Sequence, residues 1–357
     1  MNIVTSVCVD FDQEDKTIYP MLKGIDDKRI VYWRCSMTFC MTSLKFNPNA
    51  SHIVYTNDKN LEGLAIHGYS VKDIFFKLGV NLVELPFDKF DPGKYSKRFR
   101  NAFYKHEVIN ALAKLNSPSI LLDSDCIWTK SCEDMIKKII NDKCLLLQDT
   151  YQRKSTPKLK SPHNLSMEDM GKLYSRIPIM KLQTENPVWY GGELIGGNPE
   201  HFEIVANSIH DVLKYCKTQE DLQSNCMTFE NGDSIFDNDE YISSYVYNSL
   251  VGIPIHDTFG SFSKRMWSLP NIYNFEEKDL NIPIWHLPAE KESGLRELFH
   301  ELVNQKSIFW ESTEPLAKFL GEFFNIPKPK ASTASTLIQA LAKCKSVLKR
   351  IARQLDF

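Results

Sequence analysis

The chain has 357 residues, with 43 Lys+Arg against 45 Asp+Glu, a formal net charge of -2 and 43% hydrophobic residues. That balance is ordinary for a soluble globular protein and gives no electrostatic case for nucleic-acid binding. No apolar stretch approaches the roughly 20 residues of a membrane span, and the length suits one large α/β domain with additions, or two domains.

The opening MNIVTSVCVDFD lacks a basic leader and soon turns acidic, so it reads as a first core strand and not as a signal peptide. RCSMTFCMTSLKF follows as a helix, SHIVYTND as a strand ending at Asp58, and SVKDIFFKLGV as a helix. NLVELPF is a strand, SKRFRNAFYKHEVINALAKL a long helix, and SPSILLDSD and KCLLLQDT are further strands. This alternation predicts an α/β fold with a mostly parallel central sheet flanked by helices. The nine cysteines form no CxxC pair; they are expected to be reduced, in a cytosol, and to act as small hydrophobes.

Residues 151–187 carry scattered Lys, Ser, Pro and Met around one helical piece, SMEDMGKLYSRI. A long mobile excursion is expected there, of the kind that is often functional. VWYGGELIGGNPEHFEIVANSIHDVLKYC then reads as strand, glycine turn and helix, with Pro199 at the helix start. DNDEYISSYVYNSL is a helix opening in acids, favourable at the positive end of its dipole. IPIWHLP is a late strand, and the pattern is helical from Ser293 onward.

The expected organisation is a catalytic domain over 1–290, a helical extension over 291–326, and a hinge plus basic amphipathic helix over 327–357. In that last segment Leu337, Leu341, Cys344, Ile351 and Leu355 share one helical face, Lys343, Lys345, Lys349, Arg350 and Arg353 fill much of the rest, and no acid appears from Ala331 until Asp356. Residues 333–357 fit an anionic membrane surface or a partner; the alternative is a helix docked on its own domain.

The chemistry-bearing motif is ILLDSD. At the carboxyl end of a parallel strand, Asp123 and Asp125 face the crevice where α/β sheets bind ligands. One carboxylate can bind Mg2+ or Mn2+ while the other orients metal-bound water or a sugar hydroxyl. Two solvated turn aspartates are the bland rival, and the apolar strand before them weighs against it.

ILLDSD, WYGGELIGG, DNDEY and IWH, in that order over roughly residues 1–290, resemble the GT-A fold, DxD-containing, nucleotide-sugar-dependent glycosyltransferases of bacterial cell-envelope glycan type. The resemblance implies a Rossmann-like sheet and a divalent metal, Mn2+ or Mg2+, held by Asp123, Asp125 and His286. It implies a nucleotide-diphospho-sugar donor and a saccharide or glycolipid acceptor, while the balanced charge points to no nucleic acid and the reduced cysteines with the basic tail to a cytoplasmic location peripheral to the membrane face. Gly191 and Gly192 would let backbone approach the sugar, and Glu193 would accept from its hydroxyls. Asp239, or second Glu240, would take the acceptor proton. Asp58 would meet the nucleotide, and Arg98, in a basic run with Lys97, Arg100 and Lys105, would meet the diphosphate. Residues 151–187 would close over the donor.

Each role has a structural rival: a satisfied core histidine, a bulged strand, acidic N-capping, a turn aspartate, a solvated basic face. One further class ends a strand in DxD, the haloacid-dehalogenase-like phosphatases, with Asp123 as nucleophile. In that family Thr or Val would stand where this chain has Ile127, and the motif would open the first strand. A non-catalytic nucleotide-sugar-binding protein would explain the fold but not the acids.

Overall fold

The computed structural model describes residues 1–9, 22, 27–150, 165–269, 273–304, 306–311 and 316–324. The first apolar run forms β1 (Asn2–Val7), and the Asp27 side chain caps α1 (Lys28–Phe46) by accepting from the Ile30 N–H. Then come β2 (Ser51–Thr56), the short hairpin β3 (Ala65–Ile66) and β4 (Tyr69–Ser70), α2 (Val71–Lys77), β5 (Asn81–Glu84), α3 (Tyr104–Leu112), β6 (Ser119–Leu122) and β7 (Cys126–Trp128). The middle of the chain gives α4 (Glu133–Asp142), β8 (Leu145–Asp149), α5 (Met167–Tyr174), β9 (Tyr190–Gly197), α6 (Pro199–Leu222) and α7 (Asp239–Ser249). Last are β10 (Ile255–Asp257), β11 (Ser263–Arg265), β12 (Ile284–His286), α8 (Gly294–Val303), α9 (Ile308–Glu311) and α10 (Leu316–Phe323).

Seven strands form the main sheet in the order β10-β8-β9-β6-β1-β2-β5. Every pairing is parallel except the two made by β9, which runs against both β6 and β8. The alternating side chains of β1 and β6 feed two cores: Ile3, Val7, Ile120 and Leu122 pack with α1, α4 and α8, while Val4 and Leu121 pack with α3, α6 and α7. The mostly parallel, helix-flanked sheet expected from the sequence is therefore present.

Two details differ from the expectation. The helix read from Ser96 starts only at Tyr104, because Phe99 has a left-handed backbone (φ 51°) and a 3-10 turn fills Arg100–Phe103. Residues 165–187 contain a buried, box-capped helix, with Met170, Leu173 and Tyr174 in the core. The rest of the expected mobile excursion, 151–164, lies outside the described residues, as does the whole 327–357 segment. Residues of α8 and α10 pack into the same core as β1 and α1. Among the described residues no helix is long and apolar enough to cross a membrane, and Cys35, Cys40, Cys126, Cys132, Cys144 and Cys216 are buried thiols.

Candidate active site

The strand β6 stops at Leu122 because the next residues turn. The Asp123 N–H donates to the Glu193 carbonyl (3.1 Å), and the Cys126 N–H donates back to the Asp123 carbonyl (3.1 Å). The chain thereby leaves the main sheet and enters a three-stranded sheet, β11-β12-β7. There Cys126 lies opposite His286 in antiparallel register, and the Leu287 N–H donates to the Asp125 carbonyl (3.0 Å). That register carries His286 to the two aspartates. Its Nε2 is 3.2 Å from Asp125 Oδ2 and 3.8 Å from Asp123 Oδ2.

These residues fit a divalent ion. One ligand atom from each of Asp123, Asp125 and His286 lies within 4.8 Å of the others. The separations involving His286 are near the ~3 Å between adjacent ligands of an octahedral ion bound at ~2.1 Å. His286 Nδ1 is buried without a hydrogen-bond partner, 3.9 Å from Glu193 Oε1. A carboxylate behind a ligating imidazole is the usual device for fixing its ring. Burial disfavours the charged ring, but the Asp125 carboxylate and Glu193 outweigh it and raise His286 to about 9. Five carboxylates (Asp123, Asp125, Glu193, Asp239, Glu240) meet Lys105, Arg265, Lys291 and His286 among the described residues, so a cation bound here would displace the His286 proton.

Two lysines bracket the DSD turn. Lys291, just before α8, is buried and ion-paired with Asp125 Oδ2. Burial pushes the Asp125 carboxyl up, yet Lys291 and His286 hold it well below the usual carboxylate range. On the other side, Lys105 of α3 lies 2.7 Å from Asp123 Oδ1 and 3.6 Å from Asp239 Oδ2, and it donates to the Gly192 carbonyl. The two oxygens of Asp123 thus face different walls, Oδ1 toward Lys105 and Oδ2 toward His286.

The acidic start of α7 forms the second wall. Burial, with Glu240 and Asp123 nearby, outweighs Lys105 and raises Asp239 to about 7. Glu240 is also buried, but it accepts from Arg265, from the Gly192 N–H (3.0 Å) and from Trp189 Nε1 (2.7 Å), and its carboxyl is lowered by Arg265. The pair is split, with Asp239 the member able to exchange a proton near neutrality. Arg265, on β11, binds Glu240 and both oxygens of Glu193, whose Oε1 also accepts from Gln148. Glu193 is therefore filled by protein partners, which leaves it to orient Arg265 and to back His286.

The glycines follow from this crowding. Between Leu147 and Gln148 of β8 the partner in β9 jumps from Ile195 to Gly191, a bulge that re-aims the intervening residues. A Cβ on Gly191 would come within 2.1 Å of Glu193 Oε2, and one on Gly192 within 2.9 Å of both Asp239 Oδ2 and Lys105 Nζ. The bulged-strand reading of WYGGELIGG therefore applies, and the atoms that crowd Gly191 and Gly192 are the protein's own side chains.

An open cleft runs between the two walls. It brings together Asp123, Asp125, Asp239, Glu240, Lys105 and Lys291, with Ser6, Tyr32, Phe99 and Asn101 also on its surface. Two expected residues sit elsewhere. Asp58 is buried at the end of β2 and accepts from Arg29 (2.6 Å), Trp33 Nε1 (2.9 Å) and the Asn60 N–H (3.1 Å), so it ties α1 to the sheet. Arg98 is half exposed, pairs with Asp233 and lies 3.8 Å from Asp237, off the cleft. Lys291 and Arg265 had no signal in the sequence beyond their charge.

No protein-family model matches the chain and no curated protein matches it. Among solved structures the chain is similar to an active-site mutant of LgtC, at 11% identity and TM-score 0.49 over 85% of this chain and 95% of that one. It is similar to the galactosyltransferase LgtC in complex with donor and acceptor sugar analogues, at 10% identity and TM-score 0.47 over 93% and 98%. It is also similar to the apo structure of the bifunctional glycosyltransferase WbbM, at 8% identity and TM-score 0.48 over 87% and 50%. The layers observed here are the mostly parallel, helix-flanked α/β arrangement expected from the sequence. At such low identity the neighbours' substrates and residues do not transfer to this chain.

Proposed function

We propose that the chain is a metal-dependent glycosyltransferase that moves a sugar from a nucleotide-diphospho-sugar to a hydroxyl of a saccharide or glycolipid. One observation carries the reading: a cation-ready cluster of Asp123, Asp125 and His286 shares a cleft with a buried acid, Asp239, raised to about 7. Asp123, Asp125 and His286 would hold Mn2+ or Mg2+, and that ion, when bound, neutralises charge on the departing diphosphate. Lys291 and Lys105 supply fixed positive charge on either side of it. Asp239 takes the proton of the attacking hydroxyl, while Arg265 keeps Glu240 ionised and in place. Gly191 and Gly192 keep the wall low enough for a sugar to lie against it.

The acceptor side rests on sequence alone. The basic tail supports a growing cell-envelope saccharide at the cytoplasmic membrane face, with 333–357 as the contact to the lipid surface.

A thermal-shift screen of nucleotide-sugars with and without Mn2+ tests the class. A shift with one nucleotide, dependent on Mn2+, is expected, together with sugar transfer. Binding without transfer to any acceptor or to water would make it a binding protein. No shift, with turnover of a phosphomonoester, would return Asp123 to the role of a phosphatase nucleophile.

A further inference from the structure

One wall of the cleft has no task in the chemistry above. Phe99 holds φ 51° and ψ 30°, a left-handed conformation that is costly for a bulky side chain and that tends to persist where function needs it. The surrounding contacts fix it. The Lys97 N–H donates to Asp237 Oδ1 at 2.8 Å, Ser96 Oγ donates to the Arg98 carbonyl at 2.7 Å, and Arg98 pairs with Asp233. The consequence is a placement. The charged neighbours Arg98 and Arg100 turn to Asp233 and Asp91, while Phe99, Asn101 and Ala102 line the cleft beside Lys105, Asp123 and Asp239.

Asn101 adds an independent sign. Its Oδ1 is withdrawn from solvent and has no hydrogen-bond partner. A buried acceptor without a donor is unfavourable, and such atoms in a binding cleft call for a donor from the ligand. A phosphate is fully ionised or nearly so at neutral pH and has few protons to give, and the lysines already serve it. A sugar hydroxyl does donate, and the C–H face of a sugar ring suits the negative face of an aromatic ring. Phe99 is half-buried, with part of its surface left at the cleft.

We propose that Phe99 and Asn101 form the recognition wall for the transferred sugar of the donor, Asn101 Oδ1 accepting from one of its hydroxyls and Phe99 covering its C–H face. This deepens the glycosyltransferase reading and rests on it. The wall shares the cleft with Lys105 and Asp123 and is continuous in sequence with Lys105, so a sugar against it stays next to the charges that meet the diphosphate.

The test is calorimetric titration of the full chain in Mn2+ with UDP, GDP and dTDP, each bare and as its hexose conjugates. Asn101→Ala and Phe99→Leu should each weaken the nucleotide-sugar by at least about tenfold and leave the bare nucleoside diphosphate within about twofold. Phe99→Gly relieves the left-handed strain, so its Tm should hold or rise while the same selective loss appears. Nucleotide-sugar affinity unchanged in these variants, or lost in parallel with the bare nucleotide, overturns the wall. A wild-type chain that binds none of these nucleotides overturns the glycosyltransferase reading itself, and the wall with it.

Discussion

The two walls of the cleft treat a buried aspartate in opposite ways. On the β7–β12 side, Asp125 has Lys291 and His286 against one oxygen, and the charged form wins over burial. On the α7 side, Asp239 has one lysine at 3.6 Å, shared with Asp123, and two further acids close by. Burial wins there and the carboxyl rises to about 7. The residue type is the same and so is the depth; the partners alone separate a permanent anion from a group that can exchange a proton. A transferase that must hold a charged leaving group and also take up a proton needs both kinds.

The sharpest way to break this contrast is at Asp125. Asp125→Asn should lower metal-dependent transfer by more than the roughly 10–100-fold expected for losing an outer-shell partner of a metal site. It should also strand the buried Lys291 charge, a loss of about 3–5 kcal/mol visible in thermal denaturation. Adding Lys291→Met should recover much of the Tm and none of the turnover. Turnover retained in Asp125→Asn would mean that this wall does not hold the ion.

Asp239 sharpens the other side. Asp239→Asn should lower kcat by about 10²–10⁴-fold. A base works only when deprotonated, so the wild-type rate should fall as pH drops through about 7, and the variant should lose that limb. Stability gives a second readout of opposite sense. A carboxyl raised above its unfolded value stabilises the fold at low pH, and that contribution is lost as pH rises through about 7. Asp239→Asn should therefore gain Tm over wild type at about pH 8, and the gain should vanish toward about pH 4. A flat rate profile near neutrality would pass the proton to another group.

How much of this could be read from the chain depends on whether a signal is local. The succession of strands and helices follows from apolar runs alternating with amphipathic segments, and the DSD turn stands out because an apolar strand ends in acids; the order of strands in the sheet and the antiparallel β9 were not readable this way. His286 was nameable only through the resemblance, which supplies a late histidine to the metal; IWH alone reads as a core histidine. Lys291 and Arg265 were not, because their positions depend on the register of β11, β12 and β7, which pairs residues far apart in sequence. Glu193 and Asp58 show the converse. Each looks like an unclaimed acid in sequence, and in the fold Arg265 and Gln148 take the one while Arg29 and Trp33 take the other. In the basic run before α3, the late helix start and the left-handed Phe99 decide which charges face the cleft, and neither is written in composition.

Arg98 is where that last point yields the smallest expected effect. Its side chain is 48% exposed and its partner Asp233 is also held by the Tyr241 hydroxyl (2.9 Å). Surface pairs of this kind contribute about 0–1 kcal/mol, so Arg98→Ala should move Tm little. The Lys97 N–H contact to Asp237 still anchors the loop, and bare nucleoside diphosphate affinity should stay within about threefold of wild type, since the Arg98 charge is exposed, already paired with Asp233 and screened by salt. Measured at low and at physiological ionic strength, a loss confined to low salt would mark long-range attraction only. A loss that persists in salt would bring Arg98 onto the diphosphate in the bound state, and the phosphate wall would then extend past Lys105 to the rim of the cleft.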